Sequence, residues 1–189
     1  MNIIKELSKF KPVIESNNEL MSSDNYTWKN TINRTVDHDI ETQILRFSDK
    51  VNILAETLNT LIQENKLKEN FSVLELFCGN GIVLYMLKQR FPKCMPIGID
   101  LLHFEMWNDI NKEYPDVNFI QANFFDIHKS NLKLNLDVMV TYNTWRGWDN
   151  GVGPGVGSNL LSANEFMNWA ETNFKYIVAD NTILIDKKI

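Results

Sequence analysis

Ser72-Val-Leu-Glu-Leu-Phe77-Cys-Gly79-Asn-Gly81-Ile-Val-Leu84 is the stretch that decides the fold. Its first six residues are a nearly continuous apolar run, as expected of a short parallel strand buried on both faces. Gly79-Asn80-Gly81 ends the run, and a helical pattern follows from about Ile82 to Arg90. Strand, glycine turn and helix in that order begin a strand–helix–strand unit.

Toward the C-terminus the alternation continues. Met95–Asp100 reads as a second strand, Leu102–Tyr114 as a second helix, Val117–Gln121 as a third strand and Leu136–Tyr142 as a fourth. Five of the eight glycines then crowd into Gly147–Gly157. Ser162-Ala-Asn-Glu165 has capping-box spacing and opens a helix to about Phe174. Tyr176–Ala179 reads as a fifth strand, with Thr182–Ile185 folding back on it across Asp180-Asn181 as a hairpin. Toward the N-terminus, Ile40, Ile44, Phe47, Val51, Leu54, Leu58 and Leu61 recur in steps of 4-3-4-3-4-3. That places all seven on one helical stripe, with Asp37 or Asp39 as its cap. Three heptads are short for a coiled-coil seam, so the stripe is expected to pack on its own domain. Residues 1–36 are polar and weakly patterned, a loop-rich arm carrying Tyr26 and Trp28.

The expected fold is α/β: a doubly wound, mostly parallel Rossmann-like sheet with helices on both faces, C-terminally shortened, with an N-terminal helical extension. The arm and helix, residues 1–66, pack on a core formed by residues 67–189.

Bulk properties narrow the function. The chain has 189 residues, 44% of them hydrophobic, and a net charge of −5. That is one domain's worth of sequence, too apolar to be disordered. No run approaches the ~18 apolar residues of a membrane helix, so no membrane is expected. Met1–Glu15 intersperses charges among its apolar residues, unlike a secretory signal. Cys78 and Cys94 are too few for a disulfide framework and lack zinc-ligand spacing, which points to a reducing, cytoplasmic setting. The acidic balance gives no footprint for unaided nucleic-acid binding.

Ligands of open α/β sheets sit at the carboxyl ends of the strands, where strand order reverses. The polar residues of interest fall there. Glu75 closes the first strand, and Gly79 and Gly81 let a ligand approach backbone N–H groups. Asp100 ends the second strand, 19 residues after Gly81, where a carboxylate can accept from both hydroxyls of a ribose. Alternatively, Asp100 caps the helix that follows. Asn123 offers an amide to a purine edge, and Phe124 an apolar face.

Leu74-Glu-Leu-Phe-Cys-Gly79-Asn-Gly81 resembles motif I of class I S-adenosylmethionine-dependent methyltransferases. Gly98-Ile-Asp100 resembles the second motif of that family, and Gln121-Ala-Asn123-Phe124 the third, with Asn123 where Asp is usual. Phe77 stands in place of the family's first glycine. The resemblance covers roughly residues 71–180 and implies that S-adenosylmethionine is the cofactor. Its binding residues would be Glu75, Phe77, Gly79, Gly81, Asp100, Leu101, Asn123, Phe124 and Asn143; no metal is implied. A dinucleotide site would need a third glycine where Leu84 stands. Bulk there, with an acid near the ligand's polar end, favours a cofactor carrying an ammonium over one carrying phosphates.

The acceptor is less defined. In the resembled family the fourth strand ends beside the transferred methyl, here at Thr141-Tyr-Asn-Thr-Trp-Arg-Gly-Trp148. Tyr142 or Asn143 would orient the acceptor, Arg146 would hold an acceptor carboxylate and Asp149 would act as base. Trp145 and Trp148 could equally be packing, with Arg146 a solvated partner of Asp149. Gly147–Gly157 reads as a mobile lid or as a passive linker. Amino-group methyltransferases of nucleic acids carry prolines that this segment lacks. RNA uracil-C5 methyltransferases share the glycine-turn phrase but need a nucleophilic Cys near the fourth or fifth strand, where neither cysteine lies. The expected acceptor is therefore a small molecule or peptide. Alternatives are a non-catalytic subunit completed by a partner, and an RNA or DNA methyltransferase whose partner supplies the basic surface. The short C-terminus leaves a sheet edge that a homodimer or partner would cover.

Overall fold

The computed structural model describes residues 2–11, 39–141, 163–179 and 182–186. In chain order these form α1 (Ile3–Leu7), α2 (Ile40–Gln63), β1 (Ser72–Leu76), α3 (Ile82–Arg90), β2 (Met95–Asp100), α4 (Met106–Glu113), β3 (Asn118–Gln121), α5 (Phe124–Lys129), β4 (Leu136–Thr141), α6 (Ala163–Asn173), β5 (Phe174–Ala179) and β6 (Thr182–Asp186). The strands make one sheet in the order β3-β2-β1-β4-β5-β6. β1 to β5 are parallel, and β6 returns antiparallel to β5 with Ala179 opposite Thr182. The sheet is thus doubly wound, and strand order reverses between β1 and β4.

Alternation along the strands splits the core in two. Val73, Val138, Val140 and Val178 face one layer, made by α2, α3 and α4. Leu74, Leu76, Ile97, Ile99, Met139 and Ile177 face the other, with α1, α5 and α6. Both faces are covered, which is why β1 is buried at all five positions. The long α2 helix supplies Val51, Leu54, Leu58 and Leu61 to the first layer. Asp39 caps it, its Oδ1 accepting from the Thr42 N–H at 2.8 Å. Lys88 is a buried cation in this layer: its Nζ donates to the carbonyls of Pro92 (2.7 Å) and Cys94 (3.0 Å) and to Asp116 Oδ2 (2.5 Å). It ties the end of α3 to the segments leading into β2 and β3.

Three local expectations are corrected. The helix after β2 begins at Met106, not Leu102. Residues 101–105 turn instead, held by Asp100 Oδ1 accepting from the Leu102 N–H at 3.0 Å. Asp100 is therefore a turn former there and caps no helix. Two short helices, α1 and α5, form where none was expected. The third strand starts one residue late, at Asn118.

Candidate functional site

The turn after β1 is fastened from several directions. The Cys78 N–H donates to the Ile99 carbonyl at 3.1 Å, and the Gly81 N–H to the Cys78 carbonyl at 2.9 Å. Asn80 Oδ1 accepts from the Ile82 N–H at 3.3 Å, satisfying a free donor at the start of α3. The Gly79 N–H donates to Asp100 Oδ2 at 2.9 Å, and its carbonyl accepts from Trp107 Nε1 at 2.8 Å. The Trp107 indole lies flat on the Phe119 ring, with centroids 5.1 Å apart and planes 6° apart.

The two turn glycines do different work. Both have positive φ, +53° at Gly79 and +81° at Gly81. A Cβ on Gly79 would meet nothing within 4 Å, so this is the side open to a ligand. A Cβ on Gly81 would lie 2.3 Å from Phe119 Cε1, far inside contact distance of the ring. Gly98 on β2 is enclosed likewise, by Cys78 Sγ at 2.8 Å, Leu84 Cδ1 at 2.9 Å and Phe119 Cδ1 at 2.9 Å. Leu84 thus packs on Gly98, at the position where a dinucleotide fold carries glycine. At Gly81 the missing side chain makes room for Phe119. Phe77 is the position where the resembled family has a glycine, and its φ is +58°. That backbone costs a side-chain-bearing residue about 1–2 kcal/mol.

Two carboxylates flank the turn. Asp100 accepts the Gly79 N–H on one oxygen and the Leu102 N–H on the other. Burial pushes its carboxyl up to about 6 against the pull of the Leu102 and Gly79 N–H groups. Glu75, 4% exposed, lies between Gly98 and Val140 in register on β2 and β4. Burial, and then the charge of Asp100, push its carboxyl well above the usual carboxylate range. Its Oε2 is buried and accepts no hydrogen bond. Burial, then Asp100 and Glu75, also hold the Cys78 thiol far above its ordinary value, so it is no nucleophile.

The remaining cofactor candidates fall beside this pair. The Leu101 carbonyl accepts from Gln121 Nε2 at 3.0 Å. The Ala122 N–H donates to the Asp100 carbonyl and the Asn123 N–H to the Phe10 carbonyl, each at 2.9 Å. Phe124 is corrected: at 3% exposure it presents no open apolar face. Its ring stands edge-on to Phe77 at 5.5 Å and to Trp169 at 5.0 Å, a support beneath the site. Asn143 lies outside the described residues, as do Tyr142, Arg146, Asp149 and Gly147–Gly157. Sequence reasoning missed Trp107 and Phe119, which brace the turn. The signal for them was the pair Gly81 and Gly98, small residues that leave a ring's volume vacant; nothing local says which ring fills it.

A cleft of about 280 Å³ runs along β3, bordered by His103, Trp107, Phe119 and Gln121. It lies on the outer strand, away from the β1/β4 reversal. Among the described residues no group of His, Cys, Asp and Glu is placed to hold a metal ion, and no helix is long and apolar enough to cross a membrane.

No protein-family model matches the chain, and no curated protein matches it. Solved structures do. The plantazolicin methyltransferase BpumL in complex with S-adenosylhomocysteine (SAH) superposes with a TM-score of 0.51 at 19% identity, over 93% of this chain and 60% of that one. A second BpumL structure, with a triazolic desmethylPZN analog and SAH, gives the same values. A third, with a monoazolic analog and SAH, gives 0.50 at 18% identity over the same shares. This chain thus spans 60% of the length of those structures. The shared architecture is the class I methyltransferase fold.

Proposed function

We propose that this chain is an S-adenosylmethionine-dependent methyltransferase acting on a small-molecule or peptide acceptor. The observation that carries the reading is Glu75: a buried carboxylate with one oxygen unpartnered, beside Asp100, at the strand reversal of a methyltransferase fold. A buried acid without a partner is costly, and a ligand bearing a cation compensates it. The residues present fit such a cofactor. Asp100 would accept from the ribose hydroxyls, with its carboxylate already oriented by the Gly79 and Leu102 N–H groups. Glu75 faces the ammonium end. The open side of Gly79 allows close backbone approach. Leu101 and Asn123 border the base end.

When bound, S-adenosylmethionine supplies a methyl group on a sulfonium, ready for in-line displacement. The work left to the chain is orientation and, where the acceptor needs it, removal of a proton. Tyr142 or Asn143 is assigned to orient the acceptor, Arg146 to hold an acceptor carboxylate and Asp149 to serve as base, all following β4 in the sequence. BpumL is in complex with desmethylPZN analogs and SAH in these structures; the net charge of −5 here argues against a nucleic-acid acceptor unless a partner supplies basic surface.

Calorimetric titration with S-adenosylmethionine and SAH tests the cofactor. Both are expected to bind with one-to-one stoichiometry, and Asp100→Ala is expected to lower affinity at least about tenfold through loss of two charge-assisted hydrogen bonds. Absence of binding by both ligands refutes the reading, and unchanged affinity in Asp100→Ala removes the ribose assignment.

A further inference from the structure

The Glu75–Asp100 pair places two carboxylates in a site to which the described residues supply no cation. Among the described residues Asp100 is the one charge that bears on Glu75. Its register neighbours, Gly98 on β2 and Val140 on β4, are uncharged. The turn contributes the neutral Cys78 thiol. The buried residues of α2 are Gln43, Val51, Leu54, Ala55, Leu58 and Leu61, none ionisable. The charged residues of that helix, Glu41, Arg46, Asp49 and Glu56, are exposed, and Lys50 lies over the Phe47 ring. The buried cation of α3, Lys88, is held by Pro92, Cys94 and Asp116 near the far end of the helix, and Arg90 is exposed; α4 buries Trp107 and Ile110 and exposes Asp109, Lys112 and Glu113.

Two buried carboxylates without a cation do not both ionise. The hydrogen bonds decide which one stays charged. Each Asp100 oxygen accepts a backbone N–H, an arrangement that favours the anion. Glu75 Oε2 accepts nothing, so the proton belongs on Glu75.

We infer that Glu75 is protonated in the ligand-free protein at neutral pH and releases that proton when a ligand ammonium enters the site, so that cofactor binding and proton release are one event. The inference rests on the cofactor reading above. The step balances: the Glu75 O–H bond breaks, its electron pair stays on the carboxylate, and the proton goes to solvent. The ligand's positive charge replaces it, and the pair with its counter-charge holds a net −1 before and after. One consequence is selectivity. Only a ligand carrying the amino-acid ammonium draws the proton off; the same nucleoside without that group leaves Glu75 neutral.

The test counts protons. SAH is titrated calorimetrically into the full chain at pH 7 in two buffers of different ionisation enthalpy, and the titration is repeated with 5′-methylthioadenosine, which lacks the amino-acid end. Release of about one proton is expected with SAH and none with methylthioadenosine. SAH affinity is expected to rise about tenfold per pH unit over the range in which free Glu75 stays protonated, and methylthioadenosine affinity to stay flat. Glu75→Gln, with no proton to give, is expected to bind SAH without release. SAH binding with equal heats in both buffers overturns the inference and leaves the cofactor reading standing. Equal release with both ligands also overturns it, and needs no variant to fold. If neither nucleoside binds, the cofactor reading falls. The infrared carboxylic-acid band of the free protein then decides the protonation of Glu75, its absence at pH 7 overturning that part as well.

Discussion

Gly81→Ala and Gly79→Ala are expected to fail in opposite ways, although the two residues lie two positions apart in one turn. At Gly81 the new methyl would stand 2.3 Å and 2.5 Å from two atoms of the Phe119 ring. Restoring ordinary contact requires the ring to move by about 1 Å. Phe119 cannot move alone, because Trp107 is stacked on it and holds the Gly79 carbonyl. Overpacking of this kind costs about 1–3 kcal/mol, and alanine at φ +81° adds about 1 kcal/mol. The sum, about 2–4 kcal/mol, corresponds to a fall in Tm of about 6–12 °C for a chain of this size. At Gly79 only the backbone cost applies, about 1 kcal/mol or about 3 °C, since a Cβ there meets nothing. That methyl instead fills the side from which a ligand approaches, so SAH affinity should drop by at least about tenfold, or 1.4 kcal/mol. Urea unfolding and calorimetric titration of both variants give the two quantities. The reasoning is refuted if Gly79→Ala proves the more destabilising, or if Gly81→Ala unfolds within about 0.5 kcal/mol of the parent.

Two further outcomes follow from the charges. Glu75 and Asp100 have raised carboxyl values when folded, so the folded chain holds more protons than the unfolded one above the normal carboxylate range, and stability falls as pH rises through it. Glu75→Gln should be more stable than the parent at pH 8 and nearly equal at pH 4.5. The slope it retains belongs to Asp100 and levels off once pH passes about 6; denaturant midpoints across pH check this, and parallel profiles contradict it. Lys88→Met keeps the buried stem but leaves the Pro92 and Cys94 carbonyls without their donor. It should cost about 2–3 kcal/mol in thermal unfolding while SAH affinity stays within about twofold, because Lys88 lies outside the site.

What was legible in the sequence was whatever depends on neighbours along the chain. The apolar run at Ser72–Leu76, the glycine break and the spacing to Asp100 gave the order of the site. The stripe from Ile40 to Leu61 gave α2 and narrowed its cap to Asp37 or Asp39, of which the structure uses Asp39, and Asp180-Asn181 located the β5–β6 hairpin. What was not legible depends on residues far apart. Phe124 reads as an exposed aromatic until Phe77, Phe166 and Trp169 close around it. Asp100 reads as a helix cap until the Gly79 N–H, 21 positions earlier, claims its second oxygen. Gly81 reads as a ligand contact because its collision partner is 38 positions later in the chain.

That last separation bears on how the protein is made. A nascent chain that has emerged only as far as Asp116 already contains Glu75, Gly79, Gly81 and Asp100, every acid and glycine of the proposed cofactor turn. It lacks Phe119, against which Gly81 and Gly98 close and on which Trp107 rests. The hydrogen bonds of the turn can form by then, but the ring that Gly81 and Gly98 close against arrives only with the outermost parallel strand, β3. A fragment ending before Asn118 would carry the acids and glycines of the turn without the ring that braces them, so the full rigidity of the turn should appear only together with β3.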